Sequence, residues 1–265
     1  MPSLIQRAAS QAKKRLTPGT QAALRGLRDR YFPKTKRVTV NENPQLVYAP
    51  TTYNGDGLLT VHNCDFLDEP RFRAAYAKGL ELLPDGPNRT DIRWRAHMCC
   101  WAATRALQLE GDFVECGVWY GILSRTIAEY TSFASQQRNF YLVDTFGSLD
   151  TPGLDQYNRD VYDIVQRRFS GFPNVHLVRG KVPEILPAIP SRRIAYLSID
   201  MNGVEPERAA LGYFYDKVVT GGVIYLDDYG WKGFEGQKEM MDGFFADKPE
   251  KILQTPSGQG VVIKL

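Results

Sequence analysis

The sequence predicts an α/β fold, a doubly wound, mostly parallel seven-stranded sheet with an N-terminal helical extension. Three observations carry that prediction. From residue 112 onward, short apolar runs alternate with helical segments, the pattern of strand–helix–strand units whose strands run parallel. Several of the runs end in glycine or aspartate, at the strand ends where such sheets bind ligands. The length of 265 residues, 43% of them hydrophobic, suits one large domain with an extension.

Taken in order, residues 1–60 are rich in turn formers (TPGT, FPKTK, NENP, YNGDG) and read as a loose, partly helical basic arm and lid. Residues 61–110 read as a helical cap, and 111–265 as the sheet domain. LDEPRFRAAYAKGLELL (67–83) is a helix with Asp68 as its cap and Pro70 in the first turn. LPDGPNRTD breaks it, and IRWRAHMCCWAATRALQLE (92–110) forms a second helix ended by Gly111. Its Met98, Cys99, Trp101 and Leu107 fit the core face of an amphipathic helix. The strands follow as DFVECG (112–117), NFYLVD (139–144), VHLVRG (175–180), IAYLSID (194–200) and GVIYLDD (222–228), then KILQT and GVVIKL. Between them lie the helices WYGILSRTIAEYTSF, VYDIVQRRFSGF, a short PEILPAI, EPERAALGYFYDKVV and FEGQKEMMDGFFA.

Composition narrows the function classes. No apolar run approaches the roughly 20 residues that span a bilayer, and Lys13-Lys14-Arg15 with Pro18-Gly19 interrupts any secretory segment. Cys64, Cys99, Cys100 and Cys116 contain no Cys-x-x-Cys pair, and His62, His97 and His176 are isolated. Neither a disulfide framework nor a zinc motif is suggested, and the expected location is the cytoplasm. The net charge of +3 hides an asymmetry: residues 1–37 carry ten Lys/Arg and one acid, the rest 23 basic and 29 acidic residues. The basic segment is either a solvated arm or a contact for phosphate or an anionic surface. It lacks the interleaved aromatics of a nucleic-acid site.

The chemistry-bearing residues fall at the strand ends. Glu115-Cys116-Gly117-Val118-Trp119-Tyr120-Gly121 turns the chain into a helix whose N-terminal N–H groups are free. It lacks the Gly-x-Gly-x-x-Gly dinucleotide fingerprint. A strand-to-helix turn needs glycine in any case, so this loop alone decides nothing. Asp144, about 25 residues past the glycine turn, either caps a loop or hydrogen-bonds the ribose hydroxyls of an adenosyl group. Asp200, Asp227 and Asp228 end neighbouring strands on one rim. Three carboxylates there repel unless a cation joins them, and an oxygen-only donor set suits a hard divalent ion, Mg²⁺ first. Adjacent strand residues point to opposite faces. Asp227 and Asp228 share one ion only if the backbone leaves strand geometry, which Tyr229-Gly230 would allow.

VECGVWYG, DTFGSLD, SIDMNGVEPERAAL and GGVIYLDDYG together resemble the macrocin O-methyltransferase group, over roughly residues 90–265, including the closing TPSGQGVVIKL. The resemblance implies a class I, Rossmann-like methyltransferase fold, S-adenosylmethionine as cofactor, a divalent metal, and a sugar hydroxyl in natural product biosynthesis as acceptor. Residue by residue, it implies cofactor contacts from Glu115, Gly117, Val118, Gly121 and Ser124 at the turn and from Asp144, Thr145 and Phe146 at the ribose. Gly180 and Lys181 would meet adenine, and Asp200 would also touch the cofactor. Asp200, Asp227 and Asp228 match the metal-binding acids. Macrocin-type members end strand four in Asp-Gly-Asp, whereas this chain has Asp200, Met201 and Asn202. The second acid is missing, which leaves the general base as either Asp200 or a residue elsewhere. The Tyr and Ser/Thr that follow in those members are Val204 and Pro206-Glu207 here, so the substrate can differ.

The expected reaction is in-line methyl transfer to a hydroxyl, with a vicinal diol suiting two open positions on a metal. Asp200 is the candidate catalytic base. Tyr48, Tyr53, Arg93, Trp94 and Arg95 are candidates for the acceptor pocket, where an arginine would suit a phosphorylated or nucleotide-linked sugar. The partner is a small-molecule hydroxyl acceptor, without nucleic acid or a transmembrane segment, and a homo-oligomer is compatible with the sequence. Three rivals remain. In the first, the acceptor is a catechol-like phenol instead of a sugar. Tyr213-x-x-x-Lys217 spells the pair of an NAD(P)-dependent short-chain dehydrogenase or epimerase. Finally, Asn202 leaves open a non-catalytic binding subunit.

Overall fold

The computed structural model describes residues 51–83, 90–147 and 160–265, and residues 51–265 form one compact unit. A two-stranded hairpin comes first, β1 (Tyr53–Gly55) and β2 (Leu58–Thr60), followed by helices α1 (Pro70–Leu80) and α2 (Arg93–Ala106). The sheet domain then runs β3 (Asp112–Cys116), α3 (Ile122–Tyr130), β4 (Phe140–Asp144), α4 (Tyr162–Phe169), β5 (Val175–Arg179) and β6 (Ile194–Ile199). It closes with α5 (Val204–Phe214), β7 (Val218–Leu226), α6 (Glu235–Phe245), β8 (Leu253–Gln254) and β9 (Gly260–Ile263).

The seven-stranded sheet has the order β5-β4-β3-β6-β7-β9-β8. Strands β3 to β7 pair in parallel, and β9 is antiparallel to both β7 and β8. The chain winds outward from β3 through β4 to β5, then returns to the other side of β3 with β6. That reversal opens a crevice at the carboxyl ends of β3 and β6. The parallel strands are buried on both faces, as their unbroken apolar runs require. Phe113, Tyr196 and Tyr225 pack with α2, α3 and α4 on one face, whereas Val114, Leu197 and Ile224 pack with α5 and α6 on the other. Full burial of a Phe, Val, Leu or Ile among them contributes about 1.5–3 kcal/mol. Small residues on α2 (Ala96, Cys99, Ala102, Ala103, Ala106) are fully buried, which lets this helix lie close to the sheet and to α3.

The structure moves several expected boundaries. YNGDG, expected to lie in loops, forms β1 and the turn of the β1–β2 hairpin, pinned by the Tyr53 hydroxyl donating to Asp91 O at 2.7 Å. The cap of α1 is Glu69, whose carboxylate accepts from the N–H groups of Arg71 and Phe72 at 2.9 and 2.7 Å, and not Asp68. PEILPAI gives only a single 3₁₀ turn at Leu186–Ala188, since Pro187 removes a helical N–H. Val218 and Val219 belong to β7 rather than to the preceding helix; pairing with β6 outweighs the helical pattern. Trp101 is 48% exposed and so does not belong to the core. No helix among the described residues is long and apolar enough to cross a membrane.

Candidate active site

A cleft of about 610 Å³ opens at the carboxyl ends of the parallel strands. Loops after β3, β4, β5, β6 and β7 build it, and Asp56, Leu80, Ile92 and Arg95 line it from the hairpin and helical segments. Of the residues expected at a cofactor, Glu115, Gly117, Val118, Asp144, Thr145, Phe146, Gly180, Lys181 and Asp200 line the cleft. Gly121 and Ser124 do not. Gly121 starts α3 with a left-handed φ of 71°, and Ser124 donates to the Glu115 carboxylate at 3.2 Å.

At the end of β4 the cleft satisfies the Asp144 carboxylate. Asp144 Oδ2 accepts from the N–H groups of Val118 and Trp119 at 2.6 and 2.7 Å. Its Oδ1 accepts from Phe146 N at 2.8 Å and the Thr145 hydroxyl at 3.3 Å. Asp144 therefore ties the two loops together. Gly117, with φ of 91°, is required by strand packing: a Cβ there would sit 1.6 Å from Asp200 O. This close approach welds the end of β3 to the end of β6. Beneath the turn, Glu115 is buried, and desolvation pushes its carboxyl up to about 8 against the pull of the Ser124 bond. Its Oε2 has no hydrogen-bond partner among the described residues.

The β6–β7 side does not satisfy its charges. Strand β7 ends at Leu226, and residues 227–230 form a turn. The backbone thus leaves strand geometry one step before Asp227, earlier than Tyr229-Gly230, and both acids reach one point. Asp200, Asp227 and Asp228 each offer a carboxylate oxygen, all within 4.8 Å of one another. Burial, then the charges of Asp227 and Asp228, raises the Asp200 carboxyl well above the ordinary range. Asp227 is raised by burial although Arg95 opposes the shift. Burial and the neighbouring Asp227 push Asp228 up to about 7. Asp227 Oδ1 and Asp228 Oδ2 are buried without a partner among the described residues. Two orphaned oxygens in an all-oxygen donor set are what a hard divalent cation satisfies, so the residues present fit such an ion.

The position that lacks an acid holds Asn202, in a left-handed conformation (φ 54°), and its amide donates to Asp200 Oδ1 at 3.4 Å. Glu207 lies behind this loop. Its Oε1 accepts from Met201 N at 3.1 Å, and burial pushes its carboxyl up to about 7.

Asp56 at the site escaped sequence reasoning, and Arg95, named for the pocket, lines it in a different role. Arg95 was expected to face an acceptor phosphate; instead it is engaged by Asp56 and Asp227. Burial works against its charge, but the two acids outweigh it and raise its pKa. A signal for Arg95 existed: it shares the helical face of Cys99, Ala102 and Ala106, all buried, so it had to point inward. Asp56, 39 residues away in the hairpin turn, left no such signal. Tyr53, Arg93 and Trp94 do not line the cleft. Arg93 pairs with Asp91 at 2.7 Å, and Trp94 packs edge-on against Phe66. Tyr48 lies outside the described residues. The Lys217 ammonium, in the turn after α5, lies 3.3 Å from the centre of the Tyr213 ring, and neither residue lines the cleft, which removes the dehydrogenase reading of that pair.

Comparison with known proteins places these features in a family. The family model described as macrocin-O-methyltransferase (TylF) matches residues 92–248, more than half of the chain. The demethyldecarbamoylnovobiocin O-methyltransferase of Streptomyces niveus is 30% identical over 140 residues, 45% of this chain and 53% of that protein. The mycinamicin III 3''-O-methyltransferase of Micromonospora griseorubida is 28% identical over 142 residues, 45% of this chain and 55% of that protein. The chain thus spans about half the length of the curated relatives it matches. Among solved structures, the O-methyltransferase NovP superposes with a TM-score of 0.56 at 22% identity, covering 64% of this chain and 79% of that one. The calicheamicin methyltransferase CalS11 does so with a TM-score of 0.51 at 18% identity, covering 77% and 94%. At these identities the structural likeness speaks for the fold, a class I methyltransferase sheet.

Proposed function

Because the chain belongs to the macrocin-O-methyltransferase family, we propose that it transfers a methyl group from S-adenosylmethionine to a hydroxyl of a sugar or glycosylated metabolite, with a divalent cation at the acid trio. One observation carries the reading. A single cleft joins a turn whose N–H groups and Asp144 are mutually satisfied to three acids, two of which carry buried, unpartnered oxygens among the described residues. The first half suits a nucleoside-bearing cofactor, and the second suits a cation that holds a hydroxyl.

In this reading Glu115, Gly117 and Val118 face the methionine end of the cofactor. Asp144 accepts from ribose hydroxyls, with Thr145 and Phe146 beside it, and Gly180 and Lys181 border the base. Asp200, Asp227 and Asp228 hold the cation. The cofactor supplies a methyl group on a sulfonium, already activated for displacement. The cation supplies a Lewis acid that lowers the pKa of a bound hydroxyl. Asp200 stands between both halves and accepts the hydroxyl proton at a carboxylate oxygen. Its Asn202 partner orients that carboxylate by donating to Oδ1. Leu80, Ile92, Trp231 and Phe234 line the cleft with apolar surface, which keeps water from the reacting atoms and fixes the approach of the acceptor. Two neighbouring acceptor hydroxyls, a vicinal diol, would complete the cation's shell. The described residues between 51 and 110 serve as the cap of this cleft, and 111–265 as the methyltransferase domain working in the cytoplasm.

Isothermal titration with S-adenosylhomocysteine and Mg²⁺, followed by an acceptor screen of nucleotide sugars, glycosides and a catechol, tests the proposal. Micromolar binding of the first ligand and EDTA-sensitive methylation of a sugar are expected. Absence of S-adenosylhomocysteine binding would sink the cofactor assignment. Activity indifferent to EDTA, together with an undiminished Asp228→Ala variant, would sink the metal.

A further inference from the structure

Arg95 brings a fixed positive charge into a cluster that otherwise offers only carboxylates. Its guanidinium uses two edges. Nε and Nη2 grip the two oxygens of Asp56 at 3.0 and 2.8 Å. Nη1 donates to Asp227 Oδ2. The side chains are nearly dry, 15% exposed for Arg95, 4% for Asp56 and 2% for Asp227. The guanidinium also lies over the Trp231 ring, 5.6 Å from its centroid. A planar fork held along one edge and stacked on a ring has little freedom to turn. Its remaining donor therefore meets Asp227 from one direction.

The seat of Arg95 is itself constrained. Asp56 occupies the hairpin turn at a left-handed φ of 50°. Next to it, Gly57 leaves room for Trp231: a Cβ on residue 57 would come within 3.0 Å of the indole.

For Asp227 the consequence is asymmetry. One oxygen is committed to a charge-assisted bond, while Oδ1 is buried without a partner among the described residues. Such a carboxylate offers a cation one free oxygen, and contact through both would have to compete with Arg95 for Oδ2. Divalent ions differ in how they take this. Mg²⁺ demands near-ideal octahedral geometry at about 2.0–2.1 Å, whereas Ca²⁺ accepts six to eight oxygens at about 2.3–2.6 Å and readily takes both oxygens of a carboxylate. Resting on the divalent-cation reading above, we infer that Arg95, seated by Asp56, is a positioning residue that restricts Asp227 to single-oxygen contact and so favours a small octahedral cation over a large one.

If Arg95 served only to offset buried negative charge, its loss would act alike on Mg²⁺ and Ca²⁺, which carry the same charge. The ratio of the two affinities separates the roles. The experiment titrates Mg²⁺ and Ca²⁺ calorimetrically into the full chain, its Arg95→Gln variant and its Asp56→Asn variant. Thermal unfolding and S-adenosylhomocysteine binding report on folding in each. Wild type is expected to prefer Mg²⁺. Arg95→Gln should move the ratio toward Ca²⁺ by about tenfold, the low end for residues that support metal ligands, and Asp56→Asn should move it the same way by less. Parallel changes for both ions in folded variants, or a wild type that prefers Ca²⁺, overturn the inference. If Arg95→Gln does not fold, Asp56→Asn decides. A wild type that binds neither ion overturns the divalent-cation reading, and the inference with it.

Discussion

The two halves of the cleft handle negative charge in opposite ways. At the end of β4, the Asp144 carboxylate is surrounded by three N–H groups and a hydroxyl from its own loops. At the ends of β6 and β7, three carboxylates share one small space with two orphaned oxygens and one arginine. An acid with a full set of donors organises the backbone around it. A cluster with unmet oxygens is costly to bury. The first half is a scaffold; the second is a group of charges that the described residues compensate only in part.

That contrast can be broken or sharpened experimentally. The largest effect should come from the seam. A methyl at residue 117 meets Asp200 O at 1.6 Å, so Gly117→Ala must separate the ends of β3 and β6, where Asp200 N donates to Cys116 O at 2.8 Å. It is expected to abolish cofactor and cation binding together and to lower Tm strongly; a variant that keeps either ligand at wild-type affinity would show that the halves are independent.

Asp200→Asn keeps the shape but removes a charge and the proposed base. The expected loss is about 10²–10⁴ in kcat, with S-adenosylhomocysteine affinity changed much less. Equal loss of binding and rate would return Asp200 to a structural role.

Asp144→Ala acts on the satisfied half. It should weaken S-adenosylhomocysteine by about 10- to 100-fold, as expected for hydrogen bonds to a charged group worth about 1.5–3 kcal/mol. It should also lower the thermal stability of the ligand-free protein, because Val118 N and Trp119 N lose their acceptor. Affinity unchanged in calorimetry would remove Asp144 from the cofactor site.

The smallest effect concerns Glu115, whose folded carboxyl stands at about 8, above its ordinary value of 4.5. A carboxyl raised on folding keeps a proton that the unfolded chain has already released. Its stabilising contribution is complete below the unfolded value and is lost as pH rises from about 4.5 through about 8. Glu115→Gln should therefore flatten the decline of Tm between pH 5 and 8 in ligand-free protein. Parallel pH profiles for the two proteins would contradict the shift.

Much of this was legible in the chain. Alternating apolar runs and helical segments placed all seven strands of the sheet, because burial on both faces demands continuous apolar sequence. Aspartates and glycines at the ends of those runs pointed to the rim, since only strand ends bring such residues to solvent. The local misreadings have local causes: Glu69 outcompeted Asp68 as cap because Pro70 fixes where α1 begins, and Val218-Val219 joined β7 because β6 supplied a hydrogen-bonding partner. Trp101 misled because helical spacing marks a face but does not say how far the neighbouring layer extends.

The sequence by itself determined the α/β order, the residues at each strand end and the family to which the chain belongs. Only the tertiary structure decided which charges meet. Asp56, Arg95 and Asp227 lie far apart along the chain, and nothing in the sequence says that they pair. Their pairing depends on a hairpin, a helix and a strand end packing against one another. The same holds for Gly117, whose need for glycine comes from a strand more than 70 residues away. Periodicity encodes which face of an element is buried; it does not encode which buried groups face each other. Unmet oxygens and committed ones can therefore be told apart only once the chain has folded.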